Sequence, residues 1–252
     1  MKVSLSFFFL ISCPLVFSQI TLSEDDVESL PKRKALNNRK QCISKTNPNS
    51  NFYISMNTSS SYRKLETNNE FLFIPLNNRS NETSLFTNSF TLGINGKIYK
   101  NIGWDGAMSF IQNGEQYLFS DTDTSFSYKT RYNYLSMPIR IHYGVNFSRK
   151  FGCKLGIGVI PSLFVNYKQD QEWQTTEGSK GTNSIKTNVG YNTAVFNLNA
   201  YLYFTYRLPA NFGLFLGPEY RYQLSNSYQK TADYKHYSRA FGVTFGLYKL
   251  IN

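Results

Sequence analysis

Between Arg131 and Tyr167 the chain alternates with a period of two for longer than a soluble sheet normally requires. In Arg131–Asn146, Leu135, Met137, Ile139, Ile141, Tyr143 and Val145 share one parity, and Tyr134, Ser136, Pro138, Arg140, His142 and Gly144 share the other. After a polar turn at Ser148–Lys150 the pattern returns in Cys153–Tyr167. There Leu155, Ile157, Val159, Leu163 and Val165 oppose Lys154, Gly156, Gly158, Ser162 and Asn166. Side chains of a strand point to opposite faces in turn, so this stretch is a hairpin with one apolar and one polar face. Each arm exceeds the roughly 5–6 residues usual in globular sheets and reaches the roughly 9–11 that a tilted strand needs to cross a bilayer.

The same alternation recurs along the chain. Strands are predicted at Asn51–Tyr62, Phe86–Tyr99 and Ile102–Gln112 before the hairpin, and at Val189–Tyr206, Phe212–Leu224 and Tyr237–Leu250 after it. That makes eight. Long polar connections (Arg63–Leu85, Asn113–Thr130, Lys168–Asn188, Ser225–His236) alternate strictly with tight turns near Lys100-Asn101, Ser148–Lys150 and Arg207–Asn211. A soluble meander has no reason to sort its loops by end, whereas outer-membrane barrels have short periplasmic turns and long extracellular loops. Pro138, Pro161 and Pro218 fall inside strands, where a missing N–H implies a bulge or a break, yet the parity continues across all three.

The expected fold is therefore all-β: an eight-stranded antiparallel up-and-down transmembrane β-barrel. Composition agrees. The 252 residues include 19 Tyr and 21 Phe but only 17% charged residues, a mix that strands apolar on one face produce. No apolar run after residue 18 approaches a membrane helix. Residues 1–18, with Lys2 ahead of an apolar core and Phe17-Ser18-Gln19 as a cleavage site, read as a signal peptide. A second processing route starts from Leu10-Ile11-Ser12-Cys13, which resembles a lipobox. Residues 19–50 are polar and split by charge, and read as a flexible periplasmic tail. Residues 51–252 form the barrel domain, with both termini in the periplasm. Cys42 and Cys153 are either a single disulfide or two free thiols.

The inward parity carries Lys97, Asp105, Arg140, Lys154, Glu219 and Arg221, a lumen charge network. The interior of an eight-stranded barrel is just wide enough for side chains to fill, and opposite charges within it should pair. Aromatic residues near the strand ends (Tyr143, Tyr167, Phe204, Tyr206, Tyr220, Tyr222) fit interfacial belts.

Candidate chemistry is sparse. His236-Tyr237-Ser238 places a base and a nucleophile on one face, and with Ala240 it looks like the catalytic stretch of outer-membrane lipid A deacylases. No acidic residue follows Asp233 to complete a triad, and the parity turns both side chains inward. His142 reads as lumen packing, and Asp121-x-Asp123 lacks further carboxylates at calcium spacing. There is no phosphate loop or zinc spacing, so no catalytic residue, metal or cofactor is expected. The formal charge of +11 sits in the wall and at the short-turn ends, and with an export signal it does not indicate nucleic acid. The expected partners are outer-membrane lipid and other envelope or secretion proteins.

YLSMPIRIHYG, LGIGVIPSLFVNY and LFLGPEYRYQLSN resemble the PorT-like outer-membrane β-barrel family over roughly residues 51–252. The resemblance implies an outer-membrane barrel without catalytic residues, structural or accessory to transport or protein secretion. The chain ends in Ile251-Asn252 rather than the terminal aromatic common in such barrels. Two other readings stay open: a lipid-modifying enzyme using His236 and Ser238, and a soluble lipocalin-like carrier, because alternation alone does not say which face is inside.

Overall fold

The computed structural model describes residues 50–67 and 81–251. Residues 1–18, read from the sequence as a signal peptide, residues 19–49 with Cys42, and the apolar EFLFIPLNN stretch within the first long connection, read as a small extra hairpin, lie outside the described residues.

Ten strands appear in order: β1 (Ser50–Thr67), β2 (Glu82–Tyr99), β3 (Ile102–Ser120), β4 (Ser125–Ser136), β5 (Ile139–Asn146), β6 (Phe151–Gln174), β7 (Lys180–Thr187), β8 (Ala194–Arg207), β9 (Phe212–Gln223) and β10 (Tyr234–Ile251). All pairings are antiparallel. β4 and β5 are one stave interrupted at Met137-Pro138. The register is the same on both sides of the break, Ser109↔Ser136 and Asp105↔Arg140. The Pro138 carbonyl still accepts from Ala107 N–H at 3.0 Å, and Met137 N–H donates to the Pro161 carbonyl at 2.9 Å. β7 pairs only with the end of β6 and stands off the ring, so eight staves remain (β1, β2, β3, β4/β5, β6, β8, β9 and β10), each paired with the next, and β1 pairs with β10 from Ser50↔Ile251 to Thr67↔Tyr234 to close the ring. A closed ring leaves no free sheet edge among its staves.

The wall is inside out. Ile141, Leu155, Ile157 and Phe241 are between 59% and 67% exposed, while Arg140, Asp105, Glu219 and Arg221 are buried. The outward apolar run covers Ile102–Phe110 on β3 and Leu135–Val145 on β4/β5, which matches the roughly 9–11 residues of a tilted membrane strand. Soluble monomers rarely expose apolar patches above a few hundred Å². A lipocalin-like carrier needs the opposite orientation, apolar side chains lining the cavity, so this wall does not fit that alternative.

Two features depart from the sequence expectation. Asn113–Thr130 and Lys168–Asn188 are largely paired strand rather than loop: β3 runs to Ser120, β4 starts at Ser125, and β6 continues to Gln174 against β7. These hairpins continue past Phe110 and Val165, where the outward apolar run ends and the strict hydrophobic alternation with it. The second departure is a bulge in β6. The register shifts between Asn133↔Asn166 and Tyr134↔Phe164, which leaves Val165 as the extra residue. An added residue reverses the facing of the residues beyond it. Tyr167 therefore turns inward to meet Tyr132 and Tyr191, with ring centroids 5.5 and 5.4 Å away, and is not part of an interfacial belt.

Inside, large rings lie over glycines directly opposite them on the neighbouring strand: Tyr53 over Gly93, Tyr201 over Gly156, Tyr248 over Gly213 and Phe215 over Gly246. A Cβ at Gly156 would sit 2.3 Å from the Tyr201 ring. The missing side chain makes room for an aromatic in a narrow lumen.

Candidate functional site

The interior is stacked in layers from the short-turn end to the long-loop end. At its centre Arg140 on β5 faces Asp105 on β3 as a direct cross-strand pair. Arg140 Nε donates to Asp105 Oδ1 at 2.9 Å, and Nη2 donates to the Tyr53 hydroxyl at 2.7 Å. Tyr53 in turn donates to Asp105 Oδ1 at 2.9 Å, which closes a three-membered ring of bonds. The guanidinium also lies 5.0 Å from the centre of the Tyr201 ring. A planar cation with several donors in a fixed fork suits a packed interior better than lysine.

Glu219 and Arg221, two residues apart on β9, both point inward. Glu219 accepts from Asn199 Nδ2 at 2.8 Å, from Tyr203 OH at 2.5 Å and from Thr244 Oγ1 at 2.7 Å. Among the described residues no lysine or arginine is within ion-pair distance of it, so neutral donors solvate this carboxylate. Arg221 donates to Ser89 at 3.1 Å and to Ser59 at 3.0 Å. Of the six charged residues named from sequence, the structure joins Asp105 to Arg140 directly and buries Glu219 and Arg221 close by. Lys154 lies toward the short turns, its ammonium 5.9 Å from the centre of the Tyr248 ring. Lys97 is exposed at the mouth, next to a register irregularity between Lys97 and Tyr99.

The packing is close. The cavity around Tyr53, Asp105, Arg140, Tyr203 and Phe215 holds only ≈ 20 Å³, about the room for one water.

A second cluster, which the sequence pattern does not announce, occupies the long-loop end. Arg63 Nε donates to Glu82 Oε2 at 3.2 Å, Arg63 Nη1 lies 3.4 Å from Glu115 Oε1, and the Tyr132 hydroxyl donates to Glu115 Oε1 at 3.1 Å. Glu115 is 1% exposed and stands on β3 beyond Phe110, where the outward apolar run ends. Burial pushes its carboxyl up to about 7 despite the opposing pull of Arg63. A sheet of rings packs around it: Tyr132, Tyr134, Phe164, Tyr167 and Tyr191. The β9–β10 connection folds onto this layer, with Ser227 buried against Gln223 and Tyr134, and Asn192 Nδ2 donating to the carbonyls of Asn226 and Tyr228.

His236 and Ser238 face inward, as their parity predicts. The His236 ring lies tilted against Tyr132 and Tyr228, with ring centroids 4.6 and 5.3 Å away, and Ser238 Oγ is 3.5 Å from Ser61 Oγ. Glu115 bonds to the same Tyr132 whose ring meets His236, and Arg63 also engages its carboxylate. Asp121 holds the β3–β4 turn, accepting from Thr122 N–H at 2.8 Å. His142 is buried toward the short turns.

No family profile matches the sequence, and no curated protein does. Among solved structures, Neisserial surface protein A is similar at 14% identity over 79% of this chain and 97% of that one, with a TM-score of 0.38. The outer membrane protease OmpT from Escherichia coli is similar at 12% identity over 82% and 98%, with a TM-score of 0.42. The outer membrane protein OprG from Pseudomonas aeruginosa is similar at 10% identity over 81% and 98%, with a TM-score of 0.37. The ring of eight staves is set by the antiparallel pairing of its strands.

Proposed function

We propose that the chain is an integral protein of the outer membrane with a sealed, non-catalytic lumen, structural or accessory to transport or protein secretion across that membrane, as the PorT-like resemblance implies. The observation that carries this reading is the orientation of the wall: apolar residues outward around a closed ring, and charged, hydrogen-bonded side chains filling the inside. Lipid satisfies that outer face, and a closed barrel is one of the two structures whose backbone polar groups are all satisfied in a bilayer. A non-enzymatic role is supported by the inward packing of His236 and Ser238, away from any lipid substrate. The short-turn end, where β1 begins, faces the periplasm, and the extended hairpins of β3/β4 and β6/β7 face outward from the cell. The partners in this reading are outer-membrane lipid and envelope or secretion proteins that meet the projecting hairpins or the periplasmic tail.

The test is carbonate extraction of membranes combined with gel migration before and after heating. Retention in the membrane with a heat-dependent shift in mobility is the expected result. Release into the soluble fraction would overturn the reading.

A further inference from the structure

At the short-turn end the lumen opens into a cavity of ≈ 230 Å³, and its charged lining is basic throughout: Lys97, Lys100, Lys154 and Arg207. They come from β2, the β2–β3 turn, β6 and β8, so they converge from different sides of the ring. Among the described residues none of the four has a carboxylate within ion-pair distance. The buried acid Asp105 is already held by Arg140 and Tyr53.

The cavity is built, and is more than a patch of surface lysines. His142 is 8% exposed and lines it, and its Nδ1 has no hydrogen-bond partner among the described residues. Space for the ring is made by Gly103, where a Cβ would stand 2.4 Å from His142 Nε2. Gly152 does the same for Asn146 and Thr205, two further polar lining residues. A buried polar atom without a partner is costly, and a ring of cations without counter-charge repels itself. One occupant relieves both: a compact acceptor carrying several negative charges.

We propose that this mouth is a binding site for a small multiply charged oxyanion of the phosphate or polycarboxylate class. Lys154 and His142 hold it from the floor, and Lys97, Lys100 and Arg207 hold it from the rim. The site is open to the aqueous end of the lumen and shut off on the other side by the Arg140–Asp105 layer, so it retains an anion and does not conduct it.

The experiment is calorimetric titration of inorganic pyrophosphate into the purified full chain in zwitterionic detergent at low salt. Saturable binding with one anion per chain, weakening as salt is raised, is expected. Lys154→Met and the exposed pair Lys97→Gln with Lys100→Gln should each weaken it by about tenfold or more, as loss of a charge-assisted hydrogen bond does. The exposed pair keeps the test valid if Lys154→Met fails to fold, which heat-dependent gel mobility reports. Lys129→Gln, at the long-loop end, should change nothing. No saturable binding, or an equal loss in Lys129→Gln, would overturn the proposal. So would binding that appears only after Glu24, Asp25, Asp26 and Glu28 are changed to their amides, since the chain's own acidic segment would then be the occupant. Displacement of pyrophosphate by micelles doped with an anionic phospholipid would keep the site and assign a lipid headgroup as the source of the oxyanion; no displacement assigns a soluble anion.

Discussion

Arg140 Nε and Asp105 Oδ1 are 2.9 Å apart across a direct β5–β3 pair, with Arg140 5% and Asp105 6% exposed. Moving two charges out of water is expensive, and their mutual attraction offsets the cost only when the remaining polar atoms are also satisfied. Here Tyr53 bonds to both partners. Removing the acid therefore strands a buried guanidinium and a phenol together.

Asp105→Ala is expected to destabilise the barrel by about 3–5 kcal/mol, the usual effect of breaking a buried pair from one side. Urea unfolding in detergent, followed by tryptophan fluorescence, measures it. Asp121→Ala, in the exposed β3–β4 turn, is the control and should move the midpoint little. Equal midpoints for the two variants would show that the pair is not structural.

Glu219 makes a separate test of the filled lumen. Three donors on β8 and β10 converge on it, so Glu219→Ala leaves Asn199, Tyr203 and Thr244 without their acceptor. Unmade hydrogen bonds of buried groups cost roughly 1–3 kcal/mol each before relaxation, so a clear loss of thermal stability is expected, with none for the exposed Glu177→Ala. The wild-type protein should show no large steady conductance in planar bilayers. A large conductance, or a Glu219→Ala variant as stable as wild type, contradicts a packed plug.

The wall is legible in the sequence because its cause is simple. Lipid on one side and packed polar groups on the other force a period of two, so Leu135, Ile139 and Ile157 declare their facing in the sequence. Beyond Phe110 and Val165 that cause ends. Around Asn113, Glu115 and Lys168 polar residues occupy both parities of the sequence, so the stretch reads as loop, and no pattern marks Arg63, Glu82 and Glu115 as a cluster. Within the lumen, Asp105, Arg140, Glu219 and Arg221 share the inward parity and are buried. Parity does not say who meets whom, because that depends on register. Asp105 meets Arg140 since they are cross-strand partners. Glu219 bonds to Asn199, Tyr203 and Thr244, neighbours that parity alone does not name. Tyr167 is misplaced by a single extra residue, Val165, whose bulge the alternation does not reveal.

His236 and Ser238 sit among rings and hydroxyls inside the barrel, so their removal should affect packing rather than lipid chemistry. Ser238→Ala loses a 3.5 Å contact to Ser61 and is expected to leave the acylation of lipid A unchanged in a host expressing the protein. Mass spectrometry of extracted lipid A checks this. A mass change on expression that disappears in Ser238→Ala would establish the enzyme reading instead.

Glu115 gives the stability of the long-loop end a pH dependence of unusual sign. Its carboxyl is raised from an ordinary 4.5 to about 7, first by burial, while Arg63 and the bonds from Thr130 and Tyr132 pull the other way. A carboxyl whose folded value lies above its unfolded value holds more protons in the fold. Its contribution is therefore full below about pH 4.5 and is lost as pH climbs through about 7. The span corresponds to a loss on the order of 3 kcal/mol. Wild-type protein should accordingly unfold at lower urea at pH 8 than at pH 5. Glu115→Gln keeps an acceptor for Tyr132 and cannot ionise, and Arg63 retains Glu82. The variant should show a flatter profile, with its advantage over wild type growing toward pH 8. A variant whose midpoint tracks wild type in parallel from pH 5 to pH 8 would show that Glu115 stays ionised in the fold and that Arg63, rather than burial, sets its charge.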